Sequence, residues 1–275
     1  MKRDEFEALG DRHKAFEARE ASRQLMPGLP VVVRLDGRAF HTFTRGLARP
    51  YDARMSRAMI ETAKYLVEKT HAAIGYTQSD EISLAFACLD PDKEMLFKGR
   101  IQKICSLFAA MATARFNQVV AADMPEKAHL LPIFDARVYQ YPTLDLAAEC
   151  FVWREADATR NSLTMAAHAF YSPKELHKAG YAKKHEMLFA KGINWNDYPT
   201  FFKRGTYVRR VTVHKELTPA ELARIPEGKR PTGPVLRSQV QKLNLPPISS
   251  VANATEVLLL GASPAVFEPE QAHQA

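Results

Sequence analysis

The chain has 275 residues, 46% hydrophobic and 25% charged, enough to bury a sizeable core in one large domain or two modest ones. Lys and Arg exceed Asp and Glu by 38 − 31 = 7, a basic balance that fits attraction to a polyanion such as RNA without establishing it. Cys88, Cys105 and Cys150 are an odd, widely spaced set with no C-x-x-C pair, and the histidines form no H-E-x-x-H pair; both facts argue against a disulfide framework, a zinc knuckle or a histidine-bound transition metal.

The start, Met1-Lys2-Arg3-Asp4-Glu5-Phe6, has no apolar run behind its charges, and no later stretch reads as the roughly 20 apolar residues that span a bilayer. The expectation is a cytoplasmic protein with no membrane contact. Residues 11–25, with Ala15, Ala18 and Leu25 among many charges, predict a solvated helix ending before Pro27-Gly28. Val31-Val32-Val33-Arg34-Leu35 predicts a largely buried strand. Asp52 can cap a helix carrying Met55, Met59, Ala63, Leu66 and Val67 at helical spacing.

Residues 73–86 predict a hairpin, because Ile82, Leu84 and Phe86 alternate with Glu81, Ser83 and Ala85 while Gln78-Ser79-Asp80 supplies the turn. A helix from about Leu96 to Val120 and a strand over 133–139 follow. This order is the βαββαβ arrangement of an α+β, ferredoxin-like antiparallel sheet with helices on one face. Beyond 142 the pattern is mainly helical, over 144–154, over 161–170, and after the capping-box pattern Ser172-Pro173-Lys174-Glu175. A strand is expected over 207–213, loops at Pro231–Pro234 and Pro246-Pro247, and a frayed tail after Pro264. The division expected is a catalytic domain at 1–141 and an accessory region at 142–275.

Asp36 follows an apolar strand and precedes Gly37, which places its carboxylate at a sheet end. Alone, such an aspartate is more often a turn or cap residue. The ferredoxin-like order, however, brings Asp80 beside it, and two close carboxylates repel unless a cation lies between them. Magnesium takes oxygen ligands, and two ions about 3.5 to 4 Å apart stabilise both oxygens of a phosphoryl displacement. Glu81 points to the other strand face from Asp80 and ranks lower. Gly37-Arg38-Ala39-Phe40-His41 can offer successive amides to a triphosphate, or be an ordinary connection. Arg100 and Lys103, three apart on the expected helix, can reach phosphate together or be solvated surface.

With these residues laid out, R-L-D-G-R-A-F-H at 34–41 and G-Y-T-Q-S-D-E-I-S at 75–83 resemble the signature motifs of the tRNA-histidine guanylyltransferase family, whose members are 3′-to-5′ polymerases. Further matches are Arg49-Pro50-Tyr51-Asp52, F-K-G-R-I-Q-K at 97–103, F-D-A-R at 134–137, W-R-E-A-D at 153–157 and G-I-N-W-N-D-Y-P at 192–199. The resemblance, over about residues 25–210, implies a polymerase-like palm. In it Asp36 and Asp80, helped by the Gly37 carbonyl, hold two magnesium ions; Arg38, Ala39, Phe40, His41, Ser79 and Glu81 lie with them at the nucleotide; and Arg49, Arg100 and Lys103 serve activation or phosphate contact.

The resemblance further implies ATP activation of a tRNA 5′-monophosphate, addition of an incoming nucleotide, usually GTP, and a homotetramer. Where eukaryotic members carry H-I-N-N-L-Y-N, this chain has Thr159-Arg160-Asn161-Ser162-Leu163-Thr164-Met165. That version resembles the bacterial and archaeal branch, which implies repair of truncated tRNA 5′ ends, with dedicated guanosine addition to histidine tRNA as the alternative. Asn161 and Ser162 are candidate tRNA contacts by position, and Asn161 reads equally well as a helix cap. A nucleotide cyclase on the same fold, without a G-G-D-E-F string here, and a noncatalytic RNA-binding module are the readings from other classes.

Overall fold

The computed structural model describes residues 3–88, 90 and 92–267. Its first helix, α1 (Arg3–Ala21), starts earlier than expected and buries no residue. The strand β1 (Val31–Gly37) follows, longer than its apolar run predicts, so that Asp36 and Gly37 are part of the ladder. After a short helix α2 (Phe40–Phe43), Asp52 caps α3 (Ala53–Thr70) by accepting the Arg54 amide. The hairpin β2 (Ile74–Gln78) and β3 (Glu81–Phe86) turns at Ser79-Asp80 as read.

The next helix, α4 (Ile101–Asp123), begins five residues later than expected, because Phe97 and Lys98 have φ of 52° and 57° and Arg100 is extended. Then come β4 (Phe134–Gln140) and α5 (Leu144–His168), a single helix where the sequence reads two. The helices α6 (Tyr181–Phe189) and α7 (Thr200–Arg204) lead to the strand β5 (Thr206–Lys215), the helix α8 (Pro219–Ala223) and the strand β6 (Val235–Lys242). Ser172 and Glu175 exchange the capping-box hydrogen bonds, yet they close a run of turns and the helix waits until Tyr181. Residues 264–267 are tied down by the Val251–Val266 bridge rather than frayed, and the remainder of the expected tail, 268–275, lies outside the described residues.

The strands form one antiparallel sheet in the order β4-β1-β3-β2-β5-β6. Its first four are the ferredoxin-like unit, and β5 and β6 extend it past residue 141. On one face Val31, Val33, Leu35, Ile82 and Leu84 pack on Met59, Ala63 and Leu66 of α3 and on Ile104, Phe108 and Phe116 of α4. The other face is covered too, contrary to the one-faced expectation. Val32, Ile74, Tyr76 and Ala85 pack on Ala147, Ala148 and Phe151 of α5 and on Ile248, Val257 and Leu258. By length and composition α4 is apolar enough to cross a bilayer, which corrects the sequence reading, and its apolar stripe is here spent on this core.

Gly205 joins α7 to β5 at φ 77°, where an added Cβ would lie 2.6 Å from the Thr77 carbonyl oxygen and 2.7 Å from the Tyr76 hydroxyl. Gly205→Ala combines left-handed strain with a clash against fixed backbone, so it is expected to lower the unfolding free energy by about 2–4 kcal/mol. Urea unfolding checks this, and a loss near zero would contradict it.

Candidate active site

Antiparallel register places Asp36 directly opposite Glu81 on β3 and opposite Asp135 on β4, so three carboxylates line one face of the sheet end. Like charges so placed destabilise the ladder unless something neutralises them. Glu81 is neutralised by Arg154, and Asp135 has the Arg137 Nε at 3.7 Å. Among the described residues Asp36 and Asp80 form no ion pair.

Asp80 stands in the β2–β3 turn, which is anchored on both flanks. The Gly37 amide donates to the Asp80 carbonyl at 3.1 Å, and the Thr77 hydroxyl donates to the Glu81 carbonyl at 2.9 Å. Ser79 takes φ 48° to make the reversal. Burial raises the Asp80 carboxyl above its ordinary value, and the nearby Asp36 charge adds to the rise. Gly37 is required where it stands, since a Cβ there would meet the Phe40 ring at 2.4 Å.

Among the described residues no three His, Cys, Asp or Glu side chains gather as a metal cluster. The Asp36 carboxylate is near enough for its charge to act on Asp80, and the Gly37 amide is bonded to the Asp80 carbonyl. Two carboxylates with uncompensated charge and no soft ligand fit magnesium, which keeps several waters and takes the rest of its shell from phosphate oxygens.

The turn opens onto a cavity of about 640 Å³ walled by the segment 40–56 (α2, the connection after it and the start of α3), the hairpin turn, α5 and α7. That volume suits a small-molecule ligand. Of the residues singled out in the sequence, Phe40, His41, Arg49, Ser79, Asp80, Asn161 and Ser162 line it. Asn161 lies in the middle of α5, bonded to Asp157 at 3.1 Å, so it caps nothing; buried Ser162 donates to the Thr159 and Lys203 carbonyls.

The row of free amides expected at 37–41 is shorter than the sequence implies. The Gly37 amide is held by Asp80 and the Arg38 amide by the Ile133 carbonyl at 2.9 Å. Asp36, Gly37, Arg38, Ala39 and Glu81 do not line the cavity, so of the carboxylate pair only Asp80 reaches its wall. Neither do Arg100 and Lys103. The first bridges Gln24 before α4 begins and the second covers the Phe97 ring at 5.6 Å, both at the sheet end where β3 finishes, opposite to Asp36.

Sequence reading missed Tyr51 as a wall residue, along with Phe201 and Phe202, whose rings lie 5.2 Å and 4.8 Å from it, and Met165 and His168 from α5. Tyr51 and Met165 stand in quoted stretches; the others come from the second half of the chain, where helical spacing alone does not mark a pocket. Asp135 was also missed, although its register follows once β4 is paired with β1.

Comparison with known proteins identifies the family. The sequence model of the family described as Thg1, tRNAHis guanylyltransferase, matches residues 10–142. The tRNA(His) guanylyltransferase of Saccharomyces cerevisiae is 31% identical over 204 residues, covering 68% of this chain and 84% of that protein. The probable tRNA(His) guanylyltransferase of Mus musculus is 30% identical over 247 residues, covering 82% and 80%. Among solved structures, a bacterial tRNA(His) guanylyltransferase (Thg1)-like protein in complex with ATP superposes with TM-score 0.69 at 38% identity, covering 74% of this chain and 87% of that one. One in complex with GTP gives TM-score 0.68 at 32% identity, covering 92% and 98%. The chain belongs to the tRNA(His) guanylyltransferase family and is a nucleotidyltransferase.

Proposed function

We propose that the protein adds nucleotides, GTP preferred, to the 5′ end of tRNA in the 3′-to-5′ direction after ATP activates the 5′ phosphate, in a magnesium-dependent reaction that repairs shortened tRNAs. The observation that carries this reading is Asp80, which lines a cavity of nucleotide size and has the Asp36 charge beside it. Similar proteins solved with ATP and with GTP support nucleotides as the substrates.

In this reading Asp36, Asp80 and the Gly37 carbonyl hold the metal. Magnesium, when bound, lowers the barrier by offsetting charge on the oxygens of the phosphoryl displacement. The rings of Tyr51 and Phe202 offer an apolar wall to a base, and His41 of α2 and Arg49 of the connection to α3 serve the phosphates. Residues 1–141 supply the carboxylates, and 142–275 supply the opposite cavity wall through α5 and α7, together with surface for tRNA and for assembly into a homotetramer in the cytoplasm. Arg100 and Lys103 are assigned to activation through a neighbouring copy, since on their own chain they stand at the far end of the sheet.

The test is to offer 5′-monophosphorylated tRNAs, each lacking its first nucleotide, one set from histidine tRNA and one from other tRNAs, with magnesium, ATP and GTP or the template-matched triphosphate. Repair predicts extension of both sets at rates within about tenfold, on the order of 1.4 kcal/mol in the barrier. Extension of histidine tRNA alone would establish a dedicated guanylyltransferase instead.

A further inference from the structure

Beside the carboxylate pair lies an ion pair to which the proposed function assigns no role. Arg154 of α5 donates from Nε to Glu81 Oε1 at 2.8 Å and from Nη2 to Oε2 at 2.5 Å, and the two residues are 8% and 7% exposed. The Ser83 hydroxyl also reaches Oε1, and the Arg34 Nε stands 4.0 Å from Oε2. On its far side the guanidinium has Asp157 Oδ2 at 3.5 Å and lies over the Trp153 ring at 4.6 Å. Both carboxylate oxygens of Glu81 are thus engaged by the protein. A buried ion pair gives little net stability over an apolar pair of equal volume, so stability is a weak reason for placing one here.

Its position gives a better one. Glu81 follows Asp80 directly and lies opposite Asp36 in the ladder. Locking the Glu81 side chain to α5 adds a third hold on the turn from which Asp80 projects, beside the Gly37 and Thr77 hydrogen bonds. It also removes one negative charge from the row, leaving Asp36 and Asp80 as the pair that calls for a cation. We propose that Arg154 and Glu81 are a positioning pair. The planar guanidinium fork ties α5 to the hairpin, sets the direction of the Asp80 carboxylate, and keeps Glu81 out of the metal shell. This rests on the reading of Asp36 and Asp80 as metal ligands.

A lysine cannot reproduce the two-pronged contact, which makes Arg154→Lys informative while it retains the buried charge. The experiment compares Arg154→Lys, Arg154→Met, Glu81→Gln and the double variant Glu81→Gln/Arg154→Met in the full chain. Manganese binding is read by electron paramagnetic resonance in the presence of a non-hydrolysable GTP analogue, and kcat and KM for GTP are read on tRNA. Arg154→Met is expected to weaken manganese binding about tenfold and lower kcat about thirtyfold, with KM for GTP within about threefold, because the fork is lost while the cavity is intact.

Arg154→Lys should fall between wild type and Arg154→Met, and the double variant should be no worse than Arg154→Met, since both substitutions break one interaction. Multiplying losses in the double variant would overturn the proposal. So would Glu81→Gln as inactive as Asp80→Ala beside an Arg154→Met of wild-type affinity, which would make Glu81 a ligand. Should Arg154→Met not fold, Arg154→Lys with wild-type manganese affinity and kcat overturns it equally. Asp80→Ala separates the two levels: if it stays active, the metal reading itself fails, whereas if it is inactive while all pair variants match wild type, only the positioning role fails.

Discussion

Asp80→Ala and Asp36→Ala are each expected to lower nucleotide addition by at least roughly a thousandfold, the scale of the several kcal/mol that a bound metal supplies to a phosphoryl displacement. The fold should survive both, because each carboxylate stands in a repulsive group and removing one relieves charge rather than packing. A single-turnover assay with 5′-triphosphorylated tRNA, which bypasses activation, isolates the step, and a variant within tenfold of wild type would contradict the assignment.

The same arrangement has a signature in metal-free protein. Burial and the Asp36 charge raise the Asp80 carboxyl above its ordinary 3.8, so the folded chain holds that proton more tightly than the unfolded chain. Its contribution to stability is therefore present below the ordinary value and lost as pH rises through the raised one. Urea unfolding in EDTA should show wild type losing stability relative to Asp80→Asn as pH rises from about 4, with the difference levelling above the raised value. Parallel curves for the two proteins would remove the electrostatic basis for the site.

Filling the cavity should separate nucleotide binding from the carboxylates. Met165 is 41% exposed on α5 and forms part of the wall facing the hairpin turn. Met165→Trp places a large rigid ring in that space, and KM for GTP is expected to rise by about tenfold to a hundredfold, the span of roughly 1.4–2.7 kcal/mol of lost binding. Manganese affinity without nucleotide and the unfolding midpoint should stay near wild type, since the substituted side chain stands outside the core clusters. A KM unchanged within twofold would place the nucleotide elsewhere.

Much of this was legible in the sequence wherever local pattern and tertiary demand agree. The β-branched run at 31–35, the Met and Leu stripe of α3 and the alternation of 81–86 each obey one period, and the ferredoxin-like order that joins Asp36 to Asp80 follows from them. The misses have physical causes. The helix α5 reads as two because its middle carries Arg154, Glu155 and Ser162, polar residues buried to reach Glu81, Arg204 and the Lys203 carbonyl. The strand β6 goes unread because it is an edge strand with mostly exposed side chains, entered from Pro234. At Phe97 and Lys98 a left-handed backbone in residues that rarely adopt it delays α4, so Arg100 and Lys103 do not share one helix face as spacing implies. The aromatic wall from α7 was invisible because it meets Tyr51 only after the chain folds back across the sheet.

In the proposed reaction the Asp36–Asp80 pair drives growth of an RNA at its 5′ end. The most direct measurement incubates the protein with magnesium, ATP, the four nucleoside triphosphates and a 3′-labelled, 5′-monophosphorylated tRNA lacking its first nucleotide, and then sequences the 5′ terminus. The expected product is longer by the missing nucleotide, dependent on ATP and lost with EDTA or Asp80→Ala. Unchanged tRNA under every magnesium and nucleotide condition, or growth only at the 3′ end, would contradict it.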